Sequence, residues 1–379
     1  MRSSSATGTT GIADAFPSPA TAGEVAHSAG EGNTSPAIAG EDARSAGEGN
    51  TAPATAREVA RSAGAGEGYV GRFAPSPSGP LHFGSLVAAV GSFLDARAQS
   101  GRWLVRIEDL DPPRERPGAA DEILRTLEAL ELHWDGPALR QSQRTAAYAS
   151  ALARLAQRNL LHACDCTRSE IAALPPNRTR GAGVTDELYH PGRCPVHRSS
   201  VARAPGQAWR LRVPAGCVTF ADRSLGLQSI DVAATVGNFV LRRRDGLFAY
   251  QLAVVVDDAH QGVTDVVRGC DLLTSTARQI LLQQALGLPQ LRYLHLPLAV
   301  DDRGLKLSKS GDAPAADRST PAARLVAVLE FLGQSPPPAL RGATAREVLD
   351  WARAHWRVTG FAGRAEGTVP LGEIAGTTG

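Results

Sequence analysis

The stretch RFAPSPSGPLHFGS, from Arg72 to Ser85, constrains the fold of this chain more than any other segment. Pro75, Pro77, Gly79 and Pro80 favour neither a continuing strand nor a helix. The short apolar run before them, Tyr69 to Ala74, therefore reads as a strand that closes in a turn. Directly after it, Leu86, Ala89, Val90, Phe93 and Leu94 recur at helical spacing. Ser85 is the predicted N-cap of that helix and Gly101 its stop. Arg102 to Ile107 then reads as a buried strand. Strand, helix and strand within some forty residues make a βαβ unit, so the predicted fold class is α/β with a parallel sheet.

The turn also carries chemistry. A helix N-terminus offers N–H groups with no partner inside the helix and the positive end of a dipole, which suits an anion. His82 sits just before the predicted start and can donate to phosphate oxygens. Gly84 has no Cβ to block close approach. A capped turn with an incidental histidine would look the same. A second segment, Lys306-Leu307-Ser308-Lys309-Ser310, lies more than two hundred residues downstream after Gly304. Two lysines three apart among small hydroxyl residues can neutralise a triphosphate as compact point charges. Alone, such a pair is usually a solvated surface. The two segments together point to nucleotide chemistry.

The remaining sequence sets the organisation. Residues 1–68 hold almost no large apolar side chains and repeat every 17 residues: GEVAHSAGEGNTSPAIA from Gly23, GEDARSAGEGNTAPATA from Gly40 and REVARSAGAGEG from Arg57. With nothing to bury, this reads as a disordered tail. Its Glu and Asp residues disfavour a transit peptide. Helices are predicted at Ala119–Leu130, Thr145–Arg158, Thr274–Leu286, Ala322–Leu332 and Ala345–His355. Phe239–Arg243 and Leu247–Val256 flank Asp245-Gly246 and read as a hairpin. The expected division is a catalytic domain over 69–310, with an insertion at about 160–235, and a short, mainly helical region over 311–379. The formal net charge of +2 excludes a strong global signature for nucleic acid, though not a local basic face. No run of about eighteen apolar residues suggests a membrane span, and no signal-peptide core follows Met1. The five cysteines are an odd number, and Cys164, Cys166 and Cys194 fall within 31 residues. A reduced cytoplasmic setting with a metal site is the better reading than a disulfide framework.

These segments resemble the class I glutamyl-type aminoacyl-tRNA synthetases. RFAPSPSGPLHFGS is similar to their HIGH region and KLSKS to their KMSKS loop. RWLVRIEDLDPPRERPGAADEIL, LHWDG, QSQR, FAYQLAVVVDDAHQGVTDVVRGCDLL and HLPLAV resemble the catalytic segments between and beside these. The likeness covers roughly Tyr69 to Trp356. The seventy residues or so after Ser310 cannot form the two anticodon-reading domains of a full glutamyl-tRNA synthetase. The closer resemblance is therefore to the shortened branch that attaches glutamate to the queuosine base of tRNA(Asp). Ser85 replaces the second histidine of the HIGH pattern and Leu307 replaces the methionine of the loop.

The resemblance implies a Rossmann-type catalytic domain that uses ATP, with Mg2+, to activate L-glutamate, and tRNA(Asp) bearing queuosine as acceptor. It implies a glutamate site of Arg72, Phe73, Ala74, Pro75, Ser76, Glu108, Tyr250 and Arg268. Arg72 would meet a carboxylate and Glu108 the ammonium. It implies ATP contacts from His82, Ser85 and Lys309, with His82, Gly84, Lys306 and Lys309 acting on the phosphates. Asp257 and Asp258 either bind ribose, magnesium or the acceptor end, or cap the hairpin strand. The branch has C-x-C followed by Y-x3-C as structural zinc ligands. Here Cys164, Cys166 and Cys194 match, but the residue four before Cys194 is His190, with Tyr189 one residue further. Imidazole is the better zinc ligand, so His190 is favoured over Tyr189, with His197 also in reach. Cys217 and Cys270 read as buried small residues. A cytoplasmic monomer is expected. The rival readings are a truncated glutamyl-tRNA synthetase that charges tRNA(Glu), a non-catalytic tRNA-binding paralogue, and a small-molecule nucleotidyltransferase.

Overall fold

The predicted βαβ unit forms. Strand β1 (Val70–Phe73) leads through the proline turn into helix α1 (Phe83–Ala98) and back along β2 (Arg102–Ile107). β1 and β2 pair in parallel, from Val70 opposite Arg102 to Phe73 opposite Val105. The computed structural model describes residues 68–172, 189–190, 206–301, 304 and 320–369, all within the unit Pro53–Gly379. The repeat tail, Cys194, His197 and the Lys306–Ser310 segment lie outside the described residues.

After β2 come α2 (Ala119–Ala129), β3 (Leu139–Arg140), α3 (Thr145–Gln157) and β4 (Leu161–Cys164). Then follow a short helix α4 (Arg168–Ala172), β5 (Ala208–Leu211), β6 (Cys217–Asp222), β7 (Gly226–Asp231), one turn of helix α5 (Val232–Thr235) and β8 (Val240–Arg242). The rest comprises α6 (Tyr250–His260), β9 (Asp265–Gly269), α7 (Leu273–Leu286), β10 (Arg292–Leu296), β11 (Leu298–Val300), α8 (Pro321–Phe331), α9 (Ala345–His355) and β12 (Glu366–Thr368). β3 extends β2 in parallel, and β10 lies in parallel between β9 and β6. The Thr264 N–H donates to the Val70 carbonyl at 2.9 Å, setting the start of β9 beside β1. β4, β5 and β8 form a separate antiparallel sheet.

Alternation along the strands covers both sheet faces. On β9, Val267 joins an apolar cluster with α1, α8 and α9, while its neighbour Val266 joins a second cluster with α3, α6 and α7. On β10, Leu294 and Leu296 face the first cluster and Tyr293 the second. Leu86, Val90 and Leu94 of α1 are each at most 1% exposed, and burial of such side chains contributes about 1.5–3 kcal/mol apiece. α1 lies so close to β10 that a Cβ at Gly91 would stand 2.6 Å from Leu296 Cδ1.

Three local expectations are corrected. The N-cap of α1 is His82 rather than Ser85, and the helix ends at Ala98 with Gln99 as C-cap. The Asp245-Gly246 turn forms, but beyond a single bridge between Arg242 and Phe248 the chain enters helix α6 instead of a second strand. Leu252, Ala253, Val254 and Val255 are all buried; an element apolar on every side has no periodicity to separate helix from strand. Asp257 and Asp258 are thus helical residues and cap no hairpin. Cys217 is exposed and Cys270 only half-buried.

Candidate active site

The proline turn is latched across the C-terminal end of the first two strands. The Glu108 N–H donates to the Pro75 carbonyl and the Arg116 N–H to the Pro77 carbonyl, each at 2.9 Å. His82 closes the turn onto α1: its Nδ1 accepts the Ser85 N–H at 3.4 Å, and its Nε2 lies 3.0 Å from Ser85 Oγ. Phe83 and Gly84 open the helix, and their N–H groups have no partner four residues back within it. Phe73 and Pro75 are buried, Ala74 is partly covered and Ser76 is exposed.

The strand ends and α6 bring four charged groups into one chain. Arg72 Nε donates to Asp258 Oδ1 at 3.1 Å, Arg106 Nη1 donates to the same oxygen at 2.7 Å, and Arg106 Nη2 reaches Glu108 Oε1 at 3.4 Å. The side chains of Arg72 and Asp258 are 4% exposed and that of Arg106 is 0% exposed, so solvent screens this network little. Burial works against charge on Asp258, yet Arg106 and Arg72 hold its carboxyl below the usual range. Glu108 differs: burial pushes its carboxyl up to about 7 despite Arg106 and Arg72.

Tyr250, first residue of α6, accepts from Arg268 Nη1 at 3.4 Å. Burial raises the Tyr250 phenol, and the charges of Arg268, Glu108 and Arg72 all act on it. Arg268 is 4% exposed. Its buried Nε has no hydrogen-bond partner, and no carboxylate lies within salt-bridge distance of it, among the described residues. A buried guanidinium in this state suits an anionic ligand. With Arg72, Arg106 and Arg268 against Asp258 and Glu108, the cluster carries one net positive charge when Glu108 is ionised, opposite to a dicarboxylic amino acid.

The structure thus brings Arg72, Glu108, Tyr250 and Arg268 together. Asp257 turns away, accepting from Gln141 Nε2 at 2.9 Å, Tyr148 Oη at 2.6 Å and Arg144 Nε at 2.5 Å. Sequence reasoning left Asp258 open and missed Arg106, though an arginine inside the apolar strand RWLVRI was a usable signal. A cavity of about 390 Å³ lined by Arg97, Ala98, Ser100, Gly101 and Arg353 lies at the other end of α1 and meets none of these residues.

A second cluster lies at the end of β4. One ligand atom each from Cys164, Cys166 and His190 falls within 4.8 Å of the others, and Cys164 Sγ lies 3.4 Å from His190 Nε2. Burial opposes a thiolate at Cys164, but His190 and Arg210 lower it to about 6. Two soft thiols, one already inclined to ionise, and an imidazole fit a tetrahedral zinc ion. His190, one of the two candidates for the fourth position, lies within this group. His190 is pinned by its backbone, which donates to Val236 O and accepts from Asn238 N, both at 3.0 Å. Gly237 permits this approach: its φ is +69°, and a Cβ there would stand 1.9 Å from His190 O.

The fold is that of a class I synthetase catalytic domain, and residues 69–320 match the family described as tRNA synthetases class I (E and Q), catalytic domain. Glutamate-tRNA synthetases of Elizabethkingia anophelis and Elizabethkingia meningosepticum share the fold. The TM-scores are 0.66 and 0.65 at 23% identity, covering 81% of this chain and 69% and 68% of theirs. Relatives named glutamyl-Q tRNA(Asp) synthetase are closer in sequence. That of Dechloromonas aromatica is 56% identical over 76% of this chain and 94% of its own length, and that of Pseudomonas aeruginosa 52% identical over 77% and 94%. The chain belongs to the glutamyl-Q tRNA(Asp) synthetase family. Among the described residues no helix is long and apolar enough to cross a membrane.

Proposed function

We propose that this protein activates L-glutamate with ATP and transfers it to queuosine in the wobble position of tRNA(Asp). The observation that carries the reading is the 56% identity across 94% of a glutamyl-Q tRNA(Asp) synthetase, joined to a buried cluster of charged groups with the pattern a glutamate needs.

Arg72 and Arg268 meet the two carboxylates, with Tyr250 beside Arg268, and Glu108 takes the ammonium. Phe73, Ala74, Pro75 and Ser76 form the floor on which the substrate lies. A glutamate α-carboxylate oxygen attacks the α-phosphorus of ATP, and the bond from that phosphorus to the bridging oxygen breaks, releasing pyrophosphate. Catalysis is positioning and charge stabilisation, with no protein nucleophile. His82, with the N–H of Gly84 and the Ser85 hydroxyl, steadies the α-phosphate, and Lys306 and Lys309 take the leaving pyrophosphate. Mg2+ arrives with ATP as part of the substrate. In the second step queuosine accepts the glutamyl group and AMP leaves. Cys164, Cys166, His190 and Cys194 would hold one structural zinc, which braces the chain around β4 and takes no part in the reaction. The described cysteines are free thiols, which suits a reducing cytoplasm.

The test is transfer of radiolabelled glutamate to tRNA(Asp) with and without queuosine, beside tRNA(Glu). Label on queuosine-bearing tRNA(Asp) alone is the expected result. Equal label on tRNA(Glu) rejects this acceptor and makes the chain a truncated glutamyl-tRNA synthetase. No label on any tRNA, and no glutamate-dependent pyrophosphate exchange, leaves only a binding role.

A further inference from the structure

Behind Arg268 runs a buried polar chain that the reaction does not itself use. Arg268 Nη2 donates to Thr276 Oγ1 at 2.7 Å, Thr276 Oγ1 lies 3.1 Å from His295 Nε2, and His295 Nδ1 lies 2.7 Å from Asp222 Oδ2. The four residues come from β9, α7, β10 and β6, and none is more than 4% exposed. Guanidinium only donates, so the threonine oxygen accepts from Arg268 and keeps its own proton to give onward. Burial, with the charge of Arg268 nearby, holds the His295 ring below its ordinary value and hence neutral. A neutral ring that donates from Nδ1 to Asp222 accepts at Nε2, the atom facing Thr276. Asp222 is tied to the backbone in turn: its Oδ1 accepts from Ser224 N at 2.9 Å and Leu225 N at 2.8 Å, and its Oδ2 from His295 N at 3.1 Å. The Leu272 carbonyl also lies 3.4 Å from Thr276 Oγ1 and 3.5 Å from Arg268 Nη2, but the shorter contacts share one direction, running from the guanidinium to a fixed turn.

The contrast with Arg72 shows what such a chain can do. Arg72 is held by a carboxylate, Asp258, which fixes its orientation and also offsets its charge. Arg268 is held through a neutral hydroxyl and a neutral ring, with the anion two groups away, so orientation is fixed while the charge stays available. A group fixed before the ligand arrives loses less entropy on binding. We propose that Thr276, His295 and Asp222 are positioning residues that orient the Arg268 guanidinium, whose Nε has no hydrogen-bond partner among the described residues, for a substrate carboxylate. This rests on the reading of Arg268 as a glutamate contact.

The experiment is glutamate-dependent ATP–pyrophosphate exchange by the full chain, with KM for glutamate, KM for ATP and kcat measured separately. Thr276→Val removes the hydroxyl at nearly constant volume. It is expected to raise the glutamate KM by about tenfold, leaving the ATP KM and kcat within about twofold. Thr276→Ser keeps the hydroxyl and is expected to restore the parent value. In an Arg268→Gln background Thr276→Val is expected to add nothing to the glutamate KM. His295→Leu, which removes the acceptor, is expected to give the same selective rise and stands in should the valine variant not fold. An unchanged glutamate KM in Thr276→Val or its stand-in, while Arg268→Gln raises it, overturns the positioning role and leaves the pocket reading intact. Equal losses in glutamate KM, ATP KM and kcat also overturn it, since they mark general damage. An unchanged glutamate KM in Arg268→Gln overturns the pocket reading itself.

Discussion

A 2.7 Å hydrogen bond from Arg106 at the end of β2 to Asp258 on α6 joins residues 152 apart in the chain and ties the buried charged cluster together. Asp258 serves two arginines, so its loss leaves both buried without their shared anion. Removal of one partner from a buried ion network costs about 3–5 kcal/mol. Asp258→Asn is expected to lose stability of that order in urea or thermal unfolding. It is also expected to weaken glutamate binding, because Arg72 and Glu108 are positioned through the same network. A variant as stable as the parent would show that the pair contributes little.

The Glu108 carboxyl, at about 7 against an ordinary 4.5, makes a prediction in pH. It binds an ammonium only when ionised, and the ionised fraction rises from about a tenth at pH 6 to about nine-tenths at pH 8. The amino group of glutamate stays protonated across that range. We expect kcat/KM for glutamate to climb several-fold from pH 6 to 8, with the rise absent in Glu108→Gln. Stability runs the other way. The folded state holds this proton more tightly than the unfolded state, so stability falls as pH rises from about 4.5 to about 7, and Glu108→Gln is expected to remove that slope.

Metal content provides a separate check. The purified protein is expected to carry about one zinc per chain by atomic emission, and Cys166→Ser or His190→Ala to carry much less. Gly237→Ala is expected to act on the same quantity from a distance. Its Cβ would meet the His190 carbonyl in a left-handed backbone conformation, costing about 1–3 kcal/mol and shifting the imidazole. Full zinc occupancy in that variant would contradict the pinning of His190 by this close approach.

Lys309 lies outside the described residues, and its role is tested chemically. Lys309→Ala is expected to lose on the order of 100-fold in pyrophosphate exchange while its circular dichroism and melting temperature match the parent. Unchanged exchange would remove the lysine from the reaction.

Local order in the sequence determined the βαβ start, most of the helices and the cysteine pair. Proline placement, apolar period and short-range spacing each act within a few residues. The resemblance to glutamyl-type synthetases, carried by several motifs along the chain, pointed to Arg72, Glu108, Tyr250 and Arg268. Tertiary structure alone decided that residues 250–260 form a helix, because a segment buried on every side carries no period. It alone set His82 as the cap of α1, brought His190 beside the thiols of Cys164 and Cys166, and joined Arg106 to Asp258 and Thr276 to His295. Each of these depends on side chains or backbone meeting across different elements of the fold. Such meetings follow from how the sheet and its covering helices pack, and no window of neighbouring residues encodes them.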